Sequence, residues 1–332
     1  MLPLVLTMGE PAGIGGEITL KAWLGRGDGV PPFYLIDDLD RIARLARRLG
    51  WSVPVRSISA PEDALAVFAE ALPIAPIGIR PRGSPAQPDP ADAPAILGAI
   101  ETAVRHVLSG RAAALVTNPI HKDSLYRAGF RYPGHTEYLT SLAGVAEAPV
   151  MMLVCPVLRV VPVTVHLALR QAIRELRTSA IVHAGRVTET ALRRDFGVAA
   201  PSLAIAGLNP HAGEAGGLGL EEIEIIEPAI AELRAIGVDA RGPLAADTMF
   251  HAEARRSYDA ALCMYHDQAL IPIKTIDFHG GVNVTLGLPF VRTSPDHGTA
   301  FAIAGRGVAR ADSLIAALRL AADMAARRAI AD

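Results

Sequence analysis

The sequence has 332 residues, of which 51% are hydrophobic and 20% are charged. A chain of that length and composition can bury one large core or two domains of ordinary size, which excludes intrinsic disorder. The 32 basic and 34 acidic residues leave a net charge of −2, which excludes a global attraction for nucleic acid or for an anionic membrane.

The N-terminal segment MLPLVLTMGEPAG has no basic start before its apolar stretch, so it predicts a first strand rather than a signal peptide. The two cysteines, Cys155 and Cys263, lie far apart and form no Cys-x-x-Cys pair. We therefore expect neither a disulfide nor a thiolate metal site. Together these features predict a protein of the reducing cytoplasm.

Short apolar runs bounded by Gly, Pro or Asp alternate with longer stretches of helical period. This alternation predicts an α/β fold with a mostly parallel sheet, in two lobes with a cleft and no sharp boundary between them. The predicted strands are LPLVLTM, FYLID, AAALVTN, PVMMLV, VVPVTVH, SLAIAGL and DAALCMY. The predicted helices are DLDRIARLARRLG, ADAPAILGAIETAVRHVLSG, TSAIVHAGRVTETALRRDFG, LEEIEIIEPAIAELRAIG and ADSLIAALRLAADMAARRAI.

Two stretches depart from this alternation. From Ala71 to Pro94 the chain is rich in Pro and has no periodicity, which predicts an irregular connection. The apolar run that starts at Pro149 is long enough to raise the question of a membrane span, but Pro156, Arg159 and Pro162 divide it. Two buried strands joined by a turn are the better interpretation.

The opening segment TMGEPAGIGGE is a Gly-rich turn between a strand and a helix, a pattern that can hold a dinucleotide. It lacks a Gly three residues after Gly15, and the chain contains neither Gly-x-Gly-x-x-Gly nor Gly-Lys. The sequence therefore does not support a standard Rossmann site or a P-loop.

Three histidines lie at or just beyond the carboxyl ends of predicted strands: His166, His211 and His266. Ligands of open α/β sheets bind outside these strand ends, so the imidazoles could converge on a divalent ion with open positions for substrate. Asp267 is suited to orient His266 through a hydrogen bond. Each histidine is also compatible with a purely structural role.

Cations and an amide follow in a Gly-rich, apolar stretch near the C-terminus. Lys274 and Arg292, with Asn283 between them, predict an anionic substrate, with ordinary surface cations as the alternative. The turn SPDHGTA precedes an apparent short helix, where Gly298 would let a phosphate or ribose approach the backbone.

A further candidate anion site lies at a predicted helix start after Gly134. His135 and Thr136 occupy the first helical positions, where an anion is favoured. Helix capping by Thr136 is the structural alternative.

The chain resembles the 4-hydroxythreonine-4-phosphate dehydrogenase family of pyridoxal 5'-phosphate biosynthesis. The similarity extends over nearly the whole sequence. It is carried by the segments TMGEPAGIG, TNPIHK, GHTEYLT, GLNPHAGE, GPLAADTMF, MYHDQALIPIK and GVNVTLGLPFVRTSPDHGTAFAIAGRG.

The resemblance implies an isocitrate/isopropylmalate dehydrogenase-like fold and a homodimer whose active site lies at the subunit interface. It implies a divalent ion (Zn²⁺, Mg²⁺ or Co²⁺) on His166, His211 and His266, the last reaching the site of the other subunit. NAD or NADP would bind at a loop similar to that of isopropylmalate dehydrogenases. The implied substrate contacts are His135, Thr136, Lys274, Asn283 and Arg292, and the cofactor candidates are His297, Gly298, Thr299 and Ala300.

The implied reaction is oxidation of 4-phosphohydroxy-L-threonine at C3, followed by loss of CO2 from the 3-oxo acid. Asp247 and Lys274 are the catalytic candidates, although Asp247 could instead cap the turn before Thr248. Three alternatives remain open: a paralogous dehydrogenase of another small hydroxy acid, a metal-dependent hydrolase, and a non-catalytic phospho-ligand sensor.

Overall fold

The computed structural model describes residues 2–132 and 134–331. The described residues form two compact units, unit 1 from residues 1–149 and 288–326 and unit 2 from residues 150–287 and 327–332. The chain therefore leaves unit 1 after its first half and returns to it near the C-terminus.

Strands and helices alternate along much of the chain. The described strands are β1 (Leu4–Thr7), β2 (Phe33–Asp37), β3 (Val55–Ser57), β4 (Leu72–Pro76), β5 (Leu115–Thr117), β6 (Val150–Cys155), β7 (Leu158–Pro162), β8 (Ser202–Ala206), β9 (Asp239–Leu244), β10 (Ala260–Cys263), β11 (Val282–Leu286) and β12 (Arg292–Pro295). The described helices are α1 (Gly15–Leu24), α2 (Leu39–Leu49), α3 (Ala64–Val67), α4 (Ala93–Leu108), α5 (Lys122–Arg127), α6 (His135–Ala143), α7 (Leu169–Glu175), α8 (Thr178–Arg194), α9 (Glu227–Ala235), α10 (His266–Ile276) and α11 (Asp312–Ala331).

The strands of unit 1 follow the order β3-β4-β2-β1-β5-β12, and neighbouring strands are parallel. Side chains from both faces are buried, as expected of a parallel sheet covered by helices. The FYLID strand, for example, is buried at every position. Apolar side chains of α4, among them Ile96 and Ile100, pack in the core cluster of this unit.

The strands of unit 2 follow the order β11-β6-β7-β10-β8-β9. The pairs β11–β6 and β6–β7 are antiparallel, whereas β7, β10, β8 and β9 run parallel. The parallel strands β7 and β10 are direct neighbours, so the segments that follow them leave the sheet at the same edge.

Local sequence signals account for several element boundaries. Asp38 caps α2 by accepting a hydrogen bond from the Arg41 N–H, and Gly50 ends the helix in the left-handed region. The apolar run after Pro149 forms the β6–β7 hairpin, which confirms the predicted pair of buried strands. Within residues 2–132 and 134–331, no helix has the length and apolar character required to cross a bilayer.

The structure confirms the predicted α/β class with its mostly parallel sheet, and each predicted strand overlaps an observed one. The interpretation of Ala71–Pro94 as an irregular connection was wrong at its start, where β4 is an inner strand between β3 and β2. Cys155 and Cys263 are both free and buried.

Candidate active site

The imidazoles of His166 and His266 lie side by side in unit 2, with their ring centroids 5.8 Å apart. His166 follows the end of β7, and His266 is the first residue of α10, just after β10. The Thr164 hydroxyl donates a hydrogen bond of 2.8 Å to the Met264 carbonyl, which holds the two segments together beyond the strands. Parallel pairing of β7 with β10 thus brings these two histidines together.

The two histidines line a cavity of about 200 Å³ that Thr164 and Tyr265 also line. Nδ1 of His266 forms a hydrogen bond of 2.7 Å with the Asp267 carboxylate, as its position in the sequence suggested. A carboxylate on one ring nitrogen fixes the orientation of the imidazole and leaves Nε2 for a ligand. The donor pair therefore fits two of the nitrogen ligands of a divalent ion.

Backbone strain marks two of the three predicted metal ligands. His166 has φ of +51° and His211 has φ of +54°, a region that residues with a Cβ seldom adopt. The residues from His211 to Ala215 all have positive φ, so they form one left-handed turn. Such conformations cost free energy and concentrate at functional sites.

A buried carboxylate anchors the segment that carries His211. Oε1 of Glu222 accepts hydrogen bonds of 2.7 Å from the N–H groups of Leu208 and Asn209, and Oε2 accepts one of 2.9 Å from the Asn209 side chain. Glu222 is only 2% exposed. The start of the loop is therefore held rigidly, while His211 itself is exposed.

Across residues 2–132 and 134–331, no three His, Cys, Asp or Glu side chains lie close enough together to hold an ion. The structure brings His166 and His266 together and leaves His211 apart from them. The resemblance implies that His266 serves the site of another subunit, but its ring here lies beside His166 of the same chain.

Asp247 is exposed in a short turn, Ala246–Thr248, that contacts the segment carrying His211. The turn has no side-chain cap, because the Thr248 hydroxyl donates to the Ala245 carbonyl and Asp247 lies inside the turn. The capping alternative for Asp247 was therefore wrong.

Unit 1 contains a buried cation at the start of β12. Arg292 is 4% exposed, and its guanidinium donates a hydrogen bond of 2.6 Å to the hydroxyl of Thr117 at the end of β5. Burial lowers the pKa of Arg292 to about 10, so the side chain still carries its charge at neutral pH. A buried guanidinium is suited to bind a carboxylate or phosphate.

His135 begins α6, as the sequence predicted, and lies within the electrostatic field of Arg292. Burial, then the charges of Arg292 and Lys122, hold the pKa of His135 well below its usual range, so its ring is neutral. Its buried Nε2 atom has no hydrogen-bond partner among the described residues. Thr136 lies inside the first turn, and α6 has no side-chain cap, so the capping alternative was wrong. An anion at this helix N-terminus would complete the site.

Lys122 and Thr117 belong to this cationic cluster, and the sequence reasoning missed both. A Cβ added at Gly134 would lie 3.3 Å from the Lys122 ammonium nitrogen, which places that cation at the start of α6. Thr117 lies near the end of the predicted strand AAALVTN, and Lys122 ends the segment TNPIHK that follows it, so their position at and after the end of a buried strand was the available signal.

The remaining predicted substrate contacts lie in unit 2. Lys274, in α10, is half-buried with its ammonium 5.3 Å from the centre of the Phe278 ring. Asn283 is half-buried in the middle of β11, opposite Leu153. Its neighbours Val282 and Val284 are buried, and side chains alternate along a strand. The amide of Asn283 therefore points to the less covered face of its strand.

The cofactor candidates form a loop of unit 1 that ends in a short 3-10 turn, Phe301–Ile303. His297 and Thr299 are half-buried, whereas Gly298 and Ala300 are exposed. A Cβ added at Gly298 would meet no atom within 4 Å, so a ligand has open access to the main chain there.

This loop packs against the Gly-rich opening turn. The N–H of Ile14 donates a hydrogen bond of 3.0 Å to the Thr299 carbonyl. A Cβ added at Gly13 would lie 3.0 Å from the same carbonyl oxygen. The glycine therefore permits this close approach, and the opening turn forms one wall of the loop that the sequence assigned to the cofactor.

Comparison with known proteins places this geometry in a family. The profile described as "Pyridoxal phosphate biosynthetic protein PdxA" matches residues 31–321. A 4-hydroxythreonine-4-phosphate dehydrogenase of Bradyrhizobium diazoefficiens is 57% identical, with 98% of each chain covered. The crystal structure of the 4-hydroxythreonine-4-phosphate dehydrogenase from Klebsiella pneumoniae is 36% identical with a TM-score of 0.87, covering 98% of this chain and 100% of that one.

A more distant solved structure is a terephthalate 1,2-cis-dihydrodiol dehydrogenase from Burkholderia xenovorans. It is 28% identical, has a TM-score of 0.65, and covers 97% of this chain and 98% of that one. The similarity to the first two proteins is higher and extends over the full length. The chain belongs to the PdxA family of pyridoxal phosphate biosynthetic proteins.

Proposed function

We propose that the chain oxidises 4-phosphohydroxy-L-threonine at C3 with NAD or NADP, in pyridoxine 5'-phosphate biosynthesis. The product, 2-amino-3-oxo-4-phosphooxybutanoate, then loses CO2 to give 3-amino-2-oxopropyl phosphate. The observation that carries this proposal is the buried cation of Arg292 beside His135 at the start of α6. A buried guanidinium that faces a helix N-terminus suits a phosphorylated substrate.

In this proposal His135, Thr136 and Arg292 bind the anionic part of the substrate. The neutral ring of His135 donates or accepts a hydrogen bond without adding charge, and Arg292 supplies the positive charge. Lys274 and Asn283 are proposed to bind the remaining polar groups, with an ammonium and an amide respectively. Together they would orient C3 for oxidation.

His166, His211 and His266 are proposed to hold a divalent ion, and the paired rings of His166 and His266 support two of these three contacts. When bound, the ion polarises the C3 hydroxyl and so favours its deprotonation. Nitrogen ligands favour Zn²⁺ or Co²⁺ over Mg²⁺. Asp267 orients His266, and Glu222 anchors the loop that carries His211.

The proton released from the hydroxyl requires an acceptor. Lys274 and Asp247 are the proposed catalytic residues, because the Asp247 carboxylate can take that proton and the Lys274 ammonium can stabilise the negative charge that develops on the oxygen. The 3-oxo acid then needs little help to decarboxylate, since its carbonyl accepts the electrons of the breaking bond.

The loop of His297, Gly298, Thr299 and Ala300 is proposed to bind the dinucleotide, which accepts the hydride from C3 when bound. The open space at Gly298 and the contact of Thr299 with the opening turn support this assignment.

Steady-state reduction of NAD and NADP with 4-phosphohydroxy-L-threonine tests the reaction. Arg292→Lys keeps the charge and loses the planar fork, so kcat/KM should fall about tenfold or more. The exposed Arg56→Lys is the matched control. Equal turnover of unphosphorylated four-carbon hydroxy acids would favour a paralogous dehydrogenase, an alternative that the similarity to the dihydrodiol dehydrogenase supports. Metal-dependent turnover without nicotinamide would instead identify a hydrolase.

We further propose a cytoplasmic homodimer with its active site at the subunit interface. A mixture of His166→Ala and His266→Ala chains tests whether His266 crosses between subunits. If it does, mixed dimers contain one intact site and recover activity; if both ligands come from one chain, no mixed dimer is active. Sedimentation of the untreated protein measures the assembly itself.

A further inference from the structure

An arginine-lined cavity lies in unit 1, away from the cationic cluster around Arg292. Its volume is about 340 Å³, and its walls come from the opening turn, from α2 and from residues 81–85. Arg44 and Arg48 of α2 line it. An adjoining cavity shares Arg44 and is also lined by Arg80 and Arg82.

The cations of this cavity exceed the carboxylates that could neutralise them. Arg44 is 3.8 Å from the carboxylate of Asp38, and the side chains of Arg48, Arg80 and Arg82 form no ion pair within residues 2–132 and 134–331. An excess of guanidinium groups around one concave surface favours an anionic ligand.

The carboxylate of Glu17 also lines the cavity, but backbone groups already bind it. Its oxygens accept hydrogen bonds of 3.1 Å from the Gly305 N–H and 2.9 Å from the Ala309 N–H. Glu17 is 1% exposed. It therefore serves the adjoining loop and is not available as a partner for the arginines.

Buried charges fix the shape of the walls. Asp92, which is 1% exposed, accepts hydrogen bonds of 2.7 Å and 2.8 Å from the N–H groups of Arg82 and Gly83. A Cβ at Gly83 would lie 2.8 Å from the same carboxylate, so a side chain there would displace it. Arg41, which also lines the cavity, pairs with Asp37 and donates a hydrogen bond of 3.1 Å to the Pro11 carbonyl. The arginine-bearing segment is therefore held in place before any ligand binds.

The cavity adjoins the proposed cofactor loop. Gly305, eight positions beyond His297, lines it, and Gly13 lines it from the opening turn. Gly13 approaches Thr299 of the cofactor loop, as described above. A dinucleotide bound at that loop therefore has the arginine-lined cavity within reach of one end.

We infer that this cavity binds the 2'-phosphate on the adenosine ribose of NADP, and that the chain prefers NADP to NAD. The inference rests on the proposed use of a nicotinamide dinucleotide. NAD has a neutral hydroxyl where NADP carries a phosphate. Arginines placed at that position therefore strengthen the binding of NADP and not that of NAD. Arg44 and Arg82 are its proposed specificity residues because Arg44 lines both cavities and Arg82 lines the adjoining one.

Isothermal calorimetry with the full chain measures this preference without turnover. The probes are 2',5'-ADP and 5'-ADP, with inorganic phosphate as a third arm. We expect 2',5'-ADP to bind at least about tenfold more tightly than 5'-ADP. This ratio corresponds to the free energy of one hydrogen bond to a charged group. Arg44→Gln/Arg82→Gln should reduce the two affinities to parity. The control Arg56→Gln/Arg105→Gln removes two exposed cations elsewhere in unit 1 and should keep the wild-type ratio.

Three results would overturn the inference: equal affinity of the wild type for both nucleotides, an unchanged ratio in the Arg44/Arg82 variant, or phosphate competing as well as 2',5'-ADP. Turnover assays with NAD and NADP separate this failure from a failure of the proposed function. If the wild type turns over with both cofactors equally, only the preference is wrong. If neither cofactor binds or supports turnover, the proposed function is wrong as well.

Discussion

The guanidinium of Arg292 donates a hydrogen bond of 2.6 Å to Oγ1 of Thr117, and both side chains are buried. The bond joins the start of β12 to the end of the neighbouring strand β5. It therefore fixes the direction in which the buried cation faces a ligand.

Thr117→Val should remove the acceptor without changing the size of the side chain. We expect the free energy of unfolding to fall by about 1–3 kcal/mol because a buried charged donor loses this acceptor. KM for the phosphorylated substrate should rise at the same time. Urea unfolding and steady-state kinetics measure the two effects, and Thr102→Val, at a hydroxyl bonded to the exposed Arg105, is the control. Unchanged KM would show that Thr117 does not align Arg292 for substrate.

His135 should make the stability of the protein depend on pH. Its folded-state pKa lies below the ordinary histidine value, so the unfolded chain takes up a proton first as the pH falls. The stability contributed by the neutral ring is thus complete above about pH 6.5 and falls by about 1.4 kcal/mol per pH unit below it, until the folded-state pKa is reached.

Urea unfolding of the wild type and of His135→Gln, at about pH 7.5 and about pH 5.5, measures this effect. The stability difference between the two proteins should shrink at the lower pH, because glutamine does not titrate. The exposed His279→Gln is the control for the loss of a histidine as such. A stability difference that does not depend on pH would contradict the neutral state of the His135 ring.

Asp267→Asn should weaken metal binding while leaving the proposed ligands in place. The carboxylate orients His266 through a hydrogen bond of 2.7 Å, and loss of such a partner costs about 10–100-fold in metal affinity. Competition with a chelator measures the affinity directly. Asp123→Asn removes a carboxylate that pairs with exposed Arg127 and serves as the control. Equal metal affinity in both variants would show that Asp267 does not position His266 for the metal.

Glu222→Gln should loosen the start of the loop that carries His211. The carboxylate accepts three hydrogen bonds from Leu208 and Asn209, so we expect a loss of about 1–3 kcal/mol in the free energy of unfolding. Hydrogen exchange at the two backbone amides should become faster. Glu224→Gln, an exposed residue of the same segment, should change neither quantity. Unaltered exchange in Glu222→Gln would show that other contacts hold the loop.

The elements predicted correctly are those in which local pattern and burial agree. FYLID is apolar and bounded by turn residues, and it forms β2 over the same residues. Two of the strands that were missed, β4 and β12, contradict their local pattern. LPIAP contains two prolines, which normally exclude an inner strand, yet β4 lies between β3 and β2. RTSP is polar and nevertheless buried throughout as β12.

The candidate active site also contains residues that the sequence could identify and residues that it could not. Histidines at strand ends could be found by placement, and neighbouring strands brought His166 and His266 together. His211 lies beyond the end of β8, the other neighbour of β10, so the course of its left-handed loop separates it from the pair. The course of such a loop is not readable from a single sequence, so this separation could not be foreseen. Thr117 was missed because its role depends on Arg292, which lies far along the chain and reaches it only through the pairing of β5 with β12.

The pairing of β5 with β12 also determines when the sheet of unit 1 can be completed during synthesis. β5 ends at Thr117, but its neighbour β12 begins at Arg292, after the strands of unit 2. The sheet of unit 1 therefore cannot be completed on the ribosome until the C-terminal region has emerged, and such long-range pairing is slow to form. Until then, the newly made N-terminal half has no strand paired with the β5 edge of its sheet. A chain whose synthesis stops before Arg292 lacks both the strand that covers this edge and the cation of the anion site.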